Sequence, residues 1–261
     1  MSTQNDEKKE QVKAYFSRTA ANYVTSISHR TGSDLQRLIE WGEFAKGQKA
    51  LDIATGGGHT ALAVAPLVEE IIVTDLTPMM LEEARAFLVA QGVENAEFLV
   101  ADAEQLPFAD DSFERVTCRI APHHFTNVAQ AVKEVARVLK PEGVFLVIDS
   151  CASEENEFDT FVNKIEKWRD PSHGRSYRIS EWQDFFRHAG LRVEGQESFR
   201  RAHQYDDWTQ RSQMEEKEKL ALEEFVLKSD VQVKEYFAIS QKADGHLDTF
   251  SLDCFLMKGK K

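Results

Sequence analysis

Short apolar segments alternate with longer amphipathic segments along the first 150 positions of the chain. The short segments have the length of strands, and the segments between them repeat their apolar residues at helical intervals. The last short run, Val144 to Ile148, is apolar at every position, as expected for a strand buried on both faces. The alternation predicts a doubly wound α/β fold, in which ligands bind at the carboxyl ends of the strands. The five predicted strands are 49–53, 70–74, 97–100, 113–119 and 144–148.

The pattern changes after Asp149, where helical and charged segments become dominant. The elements predicted there are a helix from Phe158 to Trp168, a helix over 181–188 capped by Ser180, a sixth strand over 191–199, helices within 205–240 and a last strand from Thr249 to Met257. We expect one domain over 1–261, built from an N-terminal helical lid (1–34), a cofactor-binding core (35–150) and a C-terminal half with cap insertions and the last strands (151–261). Ser33 is the predicted cap of the helix that opens the core.

A glycine-rich turn follows the first predicted strand. The strand ends near Asp52, and three consecutive glycines, Gly56 to Gly58, precede the next helix. Glycine permits unusual backbone angles and close approach of a ligand, and the free amides at a helix start suit a carboxylate or phosphate. The second strand ends at Asp75, and an acid about 20 residues beyond such a loop hydrogen-bonds ribose hydroxyls in nucleotide-binding units. The two features together predict an adenosine-containing ligand across the strand ends.

The spacing of the glycines leaves the type of adenosine ligand open. Gly56 to Ala61 satisfies the dinucleotide pattern G-x-G-x-x-G/A, so NAD is a candidate. Asp52 lies immediately before the glycines, where a carboxylate would repel a pyrophosphate. It suits a ligand that carries an ammonium and a sulfonium group, and S-adenosyl-L-methionine carries both.

The segment Leu51 to Gly58 resembles the first motif of the class I S-adenosylmethionine-dependent methyltransferases, with Ala54 at the family's usual first glycine. The resemblance covers roughly residues 35–150 and is greatest to the subgroup that contains the ubiquinone and menaquinone biosynthesis C-methyltransferases. It implies a Rossmann-like, seven-stranded, mostly parallel sheet with an antiparallel last strand, helices on both faces and a helical cap. Further segments similar to family motifs are Val73–Leu81, Ala101–Phe108, Asp111–Phe113, Arg119–Phe125 and Glu134–Gly143.

The same resemblance implies a small-molecule methyl acceptor and a set of cofactor-binding positions. Asp75 falls at the ribose position, Asp102 at the position that accepts from the adenine amino group, and Arg119 near the methionine end of the cofactor. In the family the N-terminal segment folds over the cofactor, and Phe16 and Tyr23 fall near that pocket. The predicted cofactor-binding residues are Tyr23, Asp52, Ala54, Gly56, Gly58, Asp75, Leu76, Asp102, Ala103 and Arg119.

His123 and His124 are the candidates for a catalytic base, because imidazole changes its charge near neutral pH. Methyl transfer mainly requires alignment of the acceptor, the methyl group and the sulfur, and a base is needed only when the acceptor must lose a proton. Residues that could line the acceptor pocket, from position alone, are Trp168, His173, Arg175 and Tyr177.

The composition of the chain argues against several classes of partner. A formal net charge of −12 over 261 residues argues against a nucleic-acid partner. The three cysteines are odd in number and far apart, which is typical of free thiols in a reducing compartment. The histidines and cysteines show no metal-ligand spacing, and no segment resembles a signal peptide or a membrane span. We therefore expect a cytoplasmic enzyme with no metal.

Two other functions stay open at this point. An NAD-dependent oxidoreductase is supported by the glycine spacing and opposed by Asp52 and the later motifs. A non-catalytic S-adenosylmethionine-binding regulatory protein would have a closed or missing acceptor cavity.

Overall fold

A computed structural model describes residues 2–24 and 32–261, with side chains described for 5–18 and 32–261. Eight strands run through these residues: β1 (Lys49–Ile53), β2 (Glu70–Asp75), β3 (Ala96–Val100), β4 (Phe113–Arg119), β5 (Leu139–Ala152), β6 (Tyr177–Arg178), β7 (Arg192–Gln204) and β8 (Thr249–Lys260). The helices of these residues are α1 (Ser2–Val24), α2 (Ser33–Trp41), α3 (His59–Val64), α4 (Pro78–Ala90), α5 (Val128–Val138), α6 (Asn156–Arg169), α7 (Ile179–His188), α8 (Tyr205–Arg211), α9 (Glu216–Leu227) and α10 (Val231–Tyr236).

The sheet has the strand order β3-β2-β1-β4-β5-β8-β7. Strands β1 to β5 are parallel, and β8 lies antiparallel between β5 and β7. The predicted α/β class and the antiparallel last strand are therefore confirmed. The described sheet has eight strands rather than seven, because Cys151 and Ala152 pair with the two-residue strand β6.

Strand β5 shows how the two faces of the sheet are covered. Phe145 and Val147 belong to an apolar cluster that includes residues of α5 and α7. Leu146 and Ile148 point the other way and join a cluster with Leu38 of α2. Since alternate residues of a strand face opposite sides, the uninterrupted apolar run fits burial on both faces, as its sequence predicts.

Helices α6, α8, α9 and α10 share an apolar cluster of their own. Its largest fully buried side chains include Trp208 of α8 and Phe237, which follows α10. We call α8–α10 the cap; the chain forms it between β7 and β8. None of the helices within the described ranges is long and apolar enough to cross a membrane.

Two predicted helix caps are wrong. Gly32, not Ser33, is the N-cap of α2. The N-cap of α7 is Arg178, two positions before Ser180, and its amide donates to the Glu181 carboxylate at 2.8 Å. Serine is a favourable cap, but the neighbouring chain decides which residue leaves the helical conformation.

Candidate active site

The turn after β1 contains three residues with positive φ. Gly56 has φ 56° and Gly58 has φ 81°, and both can adopt these angles without steric cost. Ala54, at the family's first glycine position, has φ 51°. A Cβ on Gly58 would come within 2.5 Å of the Leu88 side chain on α4, so this glycine is required for helix packing as well as for the turn.

Asp52 is buried and its carboxylate is satisfied by two hydroxyls. Thr55 of the glycine turn donates to one oxygen and Thr117 of β4 to the other, each at 2.7 Å. Burial raises the pKa of Asp52 to about 6, although both hydroxyls favour the ionised form. This carboxylate thus links the glycine turn to the neighbouring strand.

Asp75 lies at the carboxyl end of β2, opposite the glycine turn. One oxygen accepts from the Gly56 amide at 3.1 Å and the other from the Thr77 amide at 2.9 Å. Burial raises the pKa of Asp75 to about 6, opposed by these backbone hydrogen bonds. The same carboxylate borders the larger of the two cavities described below.

The larger cavity, which we call the main cavity, lies at the carboxyl ends of β1, β2 and β4 and is covered by α1. It encloses about 90 Å³, less than the roughly 300–1,000 Å³ of typical ligand sites. Its lining residues are Lys9, Val12, Phe16, Ala54, Gly56, Asp75, Leu76, Thr77, Met80, Ala101, Asp102, Ala103, Glu104, Ile120, Ala121, His124, Phe125 and Thr126.

Lys9 of α1 closes one side of the main cavity. Its ammonium group lies 2.6 Å from an Asp102 oxygen and 2.8 Å from a Glu104 oxygen. Glu104 also accepts from the amide and the hydroxyl of Thr126, at 2.8 and 2.7 Å. The N-terminal helix is therefore held to the loop after β3 by a charged contact beside the predicted adenine position.

A smaller cavity, the loop cavity, lies on the other side of the glycine turn and is bordered by Arg119 and His59. The Arg119 side chain is 3% exposed and lies 2.8 Å from an Asp34 oxygen, which also receives Arg201 at 3.0 Å. Burial alone would raise the pKa of Asp34, but the two arginines hold it below its usual value. This ion pair joins α2, β4 and β7.

The two candidate bases have different surroundings. His123 Nδ1 lies 2.6 Å from an Asp149 oxygen, and its ring borders neither of these two cavities. His124 borders the main cavity, and its Nδ1 lies 3.1 Å from the Ser172 hydroxyl. The two rings are 4.1 Å apart between centroids.

The structure brings most of the predicted cofactor residues to one place. Asp52 and Gly58 border neither of the two cavities, Arg119 borders only the loop cavity, and the Tyr23 side chain lies outside the described residues. Ala54 and Gly56 border both cavities. The predicted residues around the main cavity are Ala54, Gly56, Asp75, Leu76, Asp102 and Ala103.

The residues suggested for the acceptor pocket make contacts elsewhere. Trp168 donates to Glu218 of the cap at 2.9 Å, and Arg175 pairs with Asp159 at 3.0 Å. Tyr177 and His173 likewise do not border the two cavities described here. No three His, Cys, Asp or Glu side chains among the described residues are grouped to hold a metal ion.

Sequence reasoning missed Lys9, Glu104 and Ile120. The partners of Lys9 are more than 90 positions away, so local periodicity carries no signal for that contact. Ile120 has φ 56°, which a β-branched residue rarely adopts, and its strained backbone lies between the two cavities.

The strand order, the glycine turn and the carboxylates at the strand ends define a class I S-adenosylmethionine-dependent methyltransferase. The family model described as a methyltransferase domain matches residues 51–147. The chain belongs to this family, and it is an enzyme of the methyltransferase class.

Particular relatives extend the similarity over almost the whole chain. The uncharacterized methyltransferase YcgJ of Bacillus subtilis is 40% identical over 247 residues, which are 94% of this chain and 97% of that protein. The crystal structure of YcgJ superposes with a TM-score of 0.86 at 38% identity, over 88% of this chain and 99% of that one. The ubiquinone/menaquinone biosynthesis C-methyltransferase UbiE of Coxiella burnetii is 33% identical over 154 residues, which are 55% of this chain and 61% of that protein.

Proposed function

We propose that this methyltransferase uses S-adenosyl-L-methionine and methylates a small molecule. The observation that carries the proposal is the convergence of Asp75, Asp102 and the glycine turn on one cavity at the carboxyl ends of the strands. A buried carboxylate at the end of β2 suits ribose hydroxyls, and the Asp102 carboxylate suits an amino group on adenine. Bound S-adenosylmethionine would supply an electrophilic methyl group on a sulfonium.

The residues present fit such a ligand at both of its ends. The main cavity offers carboxylates and apolar side chains to an adenosine, with Leu76 and Met80 on its walls. The loop cavity, on the other side of Ala54 and Gly56, offers the buried Arg119 to a carboxylate. A zwitterionic ligand with a sulfonium therefore meets charges of opposite sign on the two sides of the turn, whereas a pyrophosphate in the main cavity would face the carboxylate of Asp75.

The proposal of a small-molecule acceptor is supported by one of the relatives. The relative UbiE is named for C-methylation in quinone biosynthesis, and its similarity covers only about half of this chain. The cap lies outside residues 51–147, which match the methyltransferase domain, so the proposal names a small molecule as the acceptor and no particular compound. The cytoplasmic location expected from the sequence stays a prediction, supported by the three free, buried cysteines.

Calorimetric titration with S-adenosylmethionine, S-adenosylhomocysteine and NAD tests the cofactor. We expect both adenosyl compounds to bind and NAD not to bind. Asp75→Ala removes a charged hydrogen-bond acceptor from the cavity, so we expect about 10- to 100-fold weaker binding. Glu82→Ala is the matched control, since it removes an exposed carboxylate from the adjacent helix α4.

Binding of NAD without the adenosyl compounds would contradict the proposal. An Asp75→Ala affinity equal to that of Glu82→Ala would show that the ligand lies elsewhere.

A further inference from the structure

His124 is placed to act on a molecule beside the cofactor. Its ring borders the main cavity, packs edge-on against Phe16 of α1 at 4.8 Å and lies 4.1 Å from the His123 ring. Nδ1 is directed at Ser172, and Nε2 makes no hydrogen bond to any residue the structure describes. Among the described residues, Nε2 has no hydrogen-bond partner and is not fully buried, so it remains accessible to a ligand.

A short hydrogen-bonded chain fixes which nitrogen of His124 carries the hydrogen. The Ser172 hydroxyl donates to an Asp170 oxygen at 2.5 Å and lies 3.1 Å from His124 Nδ1. A hydroxyl has one hydrogen, and here it is given to the carboxylate. The hydroxyl must therefore accept from His124, which places the hydrogen on Nδ1 and leaves the lone pair on Nε2.

The loop that carries this chain is held firmly. The Ser172 amide donates to the same Asp170 oxygen at 2.8 Å, and Asp170 and Ser172 are 1% and 3% exposed. Lys167 of α6 donates to the Pro171 carbonyl at 2.6 Å, and the Gly174 amide donates to the His123 carbonyl at 2.7 Å. Water does not compete for the buried hydrogen bonds between Ser172 and Asp170, so these two side chains keep their order.

His123 has a different role because it touches a carboxylate directly. Asp149 raises the pKa of His123 against the effect of burial. Burial, with the nearby charges of His123, His173 and Arg169, holds the pKa of His124 well below its usual value. The His124 ring is therefore neutral near pH 7 before the reaction, with a lone pair available to accept a proton.

We propose that Ser172 and Asp170 are positioning residues that hold His124 in the Nδ1–H tautomer, so that its Nε2 removes a proton from the methyl acceptor. The inference rests on the proposed function and adds a requirement on its substrate. The acceptor must carry a removable proton on oxygen, nitrogen or an activated carbon, which excludes thioethers and tertiary amines.

The acceptor's bond to hydrogen breaks, and the proton goes to Nε2. The electron pair left on the acceptor forms the bond to the methyl carbon, while the carbon–sulfur bond breaks and its pair stays on sulfur. The resulting imidazolium is stabilised through Ser172 by the Asp170 carboxylate.

The tautomer can be measured without knowing the acceptor. Long-range ¹H–¹⁵N spectra of the whole, ligand-free protein with ¹⁵N-labelled histidine distinguish Nδ1–H from Nε2–H, and the His124 signals are those lost in His124→Gln. We expect the Nδ1–H form in the wild type and a substantial Nε2–H population in Ser172→Ala. Ser172→Thr keeps a hydroxyl and is expected to restore the Nδ1–H form.

Ser176→Ala is the matched control, since it removes another buried serine hydroxyl from the same segment. Ser176 contacts Ser150 and is not a partner of His124, so its tautomer should not change. An Nε2–H tautomer of His124 in the wild type would overturn the proposal even if no Ser172 variant folds. An unchanged tautomer in a folded Ser172→Ala protein would overturn it as well.

The same samples separate this proposal from the proposed function. Titration with S-adenosylhomocysteine reports the cofactor site, and we expect Ser172→Ala to bind it within about twofold of the wild type. Loss of cofactor binding in the wild type with the Nδ1–H tautomer intact would refute the cofactor, not the hydrogen-bonded chain.

Discussion

At the scale of single residues, the site stores backbone strain at the ends of two adjacent strands. Ala54 follows β1 with φ 51° and Ile120 follows β4 with φ 56°, and both border the two cavities. A residue with a Cβ pays for such angles in steric energy, of the order of 1–2 kcal/mol. The strands around them hold these angles, since the Ile120 amide donates to the Ile148 carbonyl of β5 at 2.7 Å.

We expect Ala54→Gly to leave the protein equally stable or more stable, by up to about 1 kcal/mol. Glycine removes the steric strain, and its greater freedom in the unfolded chain offsets part of the gain. Urea unfolding measures the difference. Ala238→Gly is the matched control because Ala238 has φ 48° on the exposed end of α10, away from the site. Ala86→Gly, at an exposed position inside α4, should instead cost about 1 kcal/mol; a similar loss at Ala54 would show that its backbone is not strained.

The predicted residues that line the main cavity share one property: each lies at or just after the end of a strand whose apolar pattern is plain. Asp75 and Asp102 are examples, because parallel strands deliver their carboxyl ends to one edge. Asp34 was missed although it binds Arg119, since the partners lie 85 positions apart. Ion pairs across the fold follow from three-dimensional packing, which local patterns do not encode.

At the scale of elements, α1 is the part of the site with the fewest ties to the sheet. It packs against α4, and its Lys9 reaches Asp102 and Glu104. An adenine amino group at Asp102 would compete with Lys9 for the same carboxylate. Because the main cavity beneath α1 is small, entry of a nucleoside requires this contact to open first.

We expect Lys9→Ala to speed the association of S-adenosylhomocysteine about two- to fivefold, since a partly exposed ion pair contributes roughly 0.5–1 kcal/mol. Stopped-flow fluorescence gives the rate. Lys13→Ala is the matched control, because Lys13 pairs with Glu10 on the same helix and lies outside the cavity lining. Equal rates for the two variants would mean that Lys9 does not restrict entry.

The sequence predicts which helices and strands form better than it predicts the residues at which they begin and end. The apolar run of β5 marked its centre, but the strand starts at Leu139, directly after α5, and continues to Ala152. Pro141 and Gly143 lie inside the strand, and the amide of Glu142 between them donates to the Lys261 carbonyl. Pairing with other strands accounts for both ends, since Leu139 pairs with Phe113 of β4 and Cys151 and Ala152 pair with β6, and such partners leave no local mark in the sequence.

At the scale of the whole molecule, buried groups of two kinds oppose each other in mild acid. Burial lowers the pKa of His173 and of His203 to about 3 and that of His124 well below normal. Such a histidine gains its proton only on unfolding, so acid below pH 6.5 destabilises the fold. Asp52 and Asp75, with their pKa raised to about 6, gain protons first in the folded state and act in the opposite direction.

Three histidines against two carboxyl groups leave a net uptake of about one proton on unfolding between pH 5 and 6, above the range in which carboxyl groups with a lowered pKa, such as Glu166, contribute. We therefore expect the free energy of unfolding to fall by about 1.4 kcal/mol for each unit by which the pH is lowered in this range. His173→Gln removes one of the three histidines. The free energy of unfolding should then depend less steeply on pH, even if its value at neutral pH is lower. Urea unfolding at several pH values measures this dependence. Exposed His188→Gln should keep the wild-type slope, and an equally steep slope in His173→Gln would refute the assignment.

The segment that forms the cap begins and ends at one pair of neighbouring positions in the sheet. Gln204, the last residue of β7, is the register partner of Thr249, the first residue of β8. Everything between them, α8 to α10, is therefore the connection of a β-hairpin, and its length is free of the strand register. Insertions or deletions within this segment can therefore change its length without shifting the strands that carry the site.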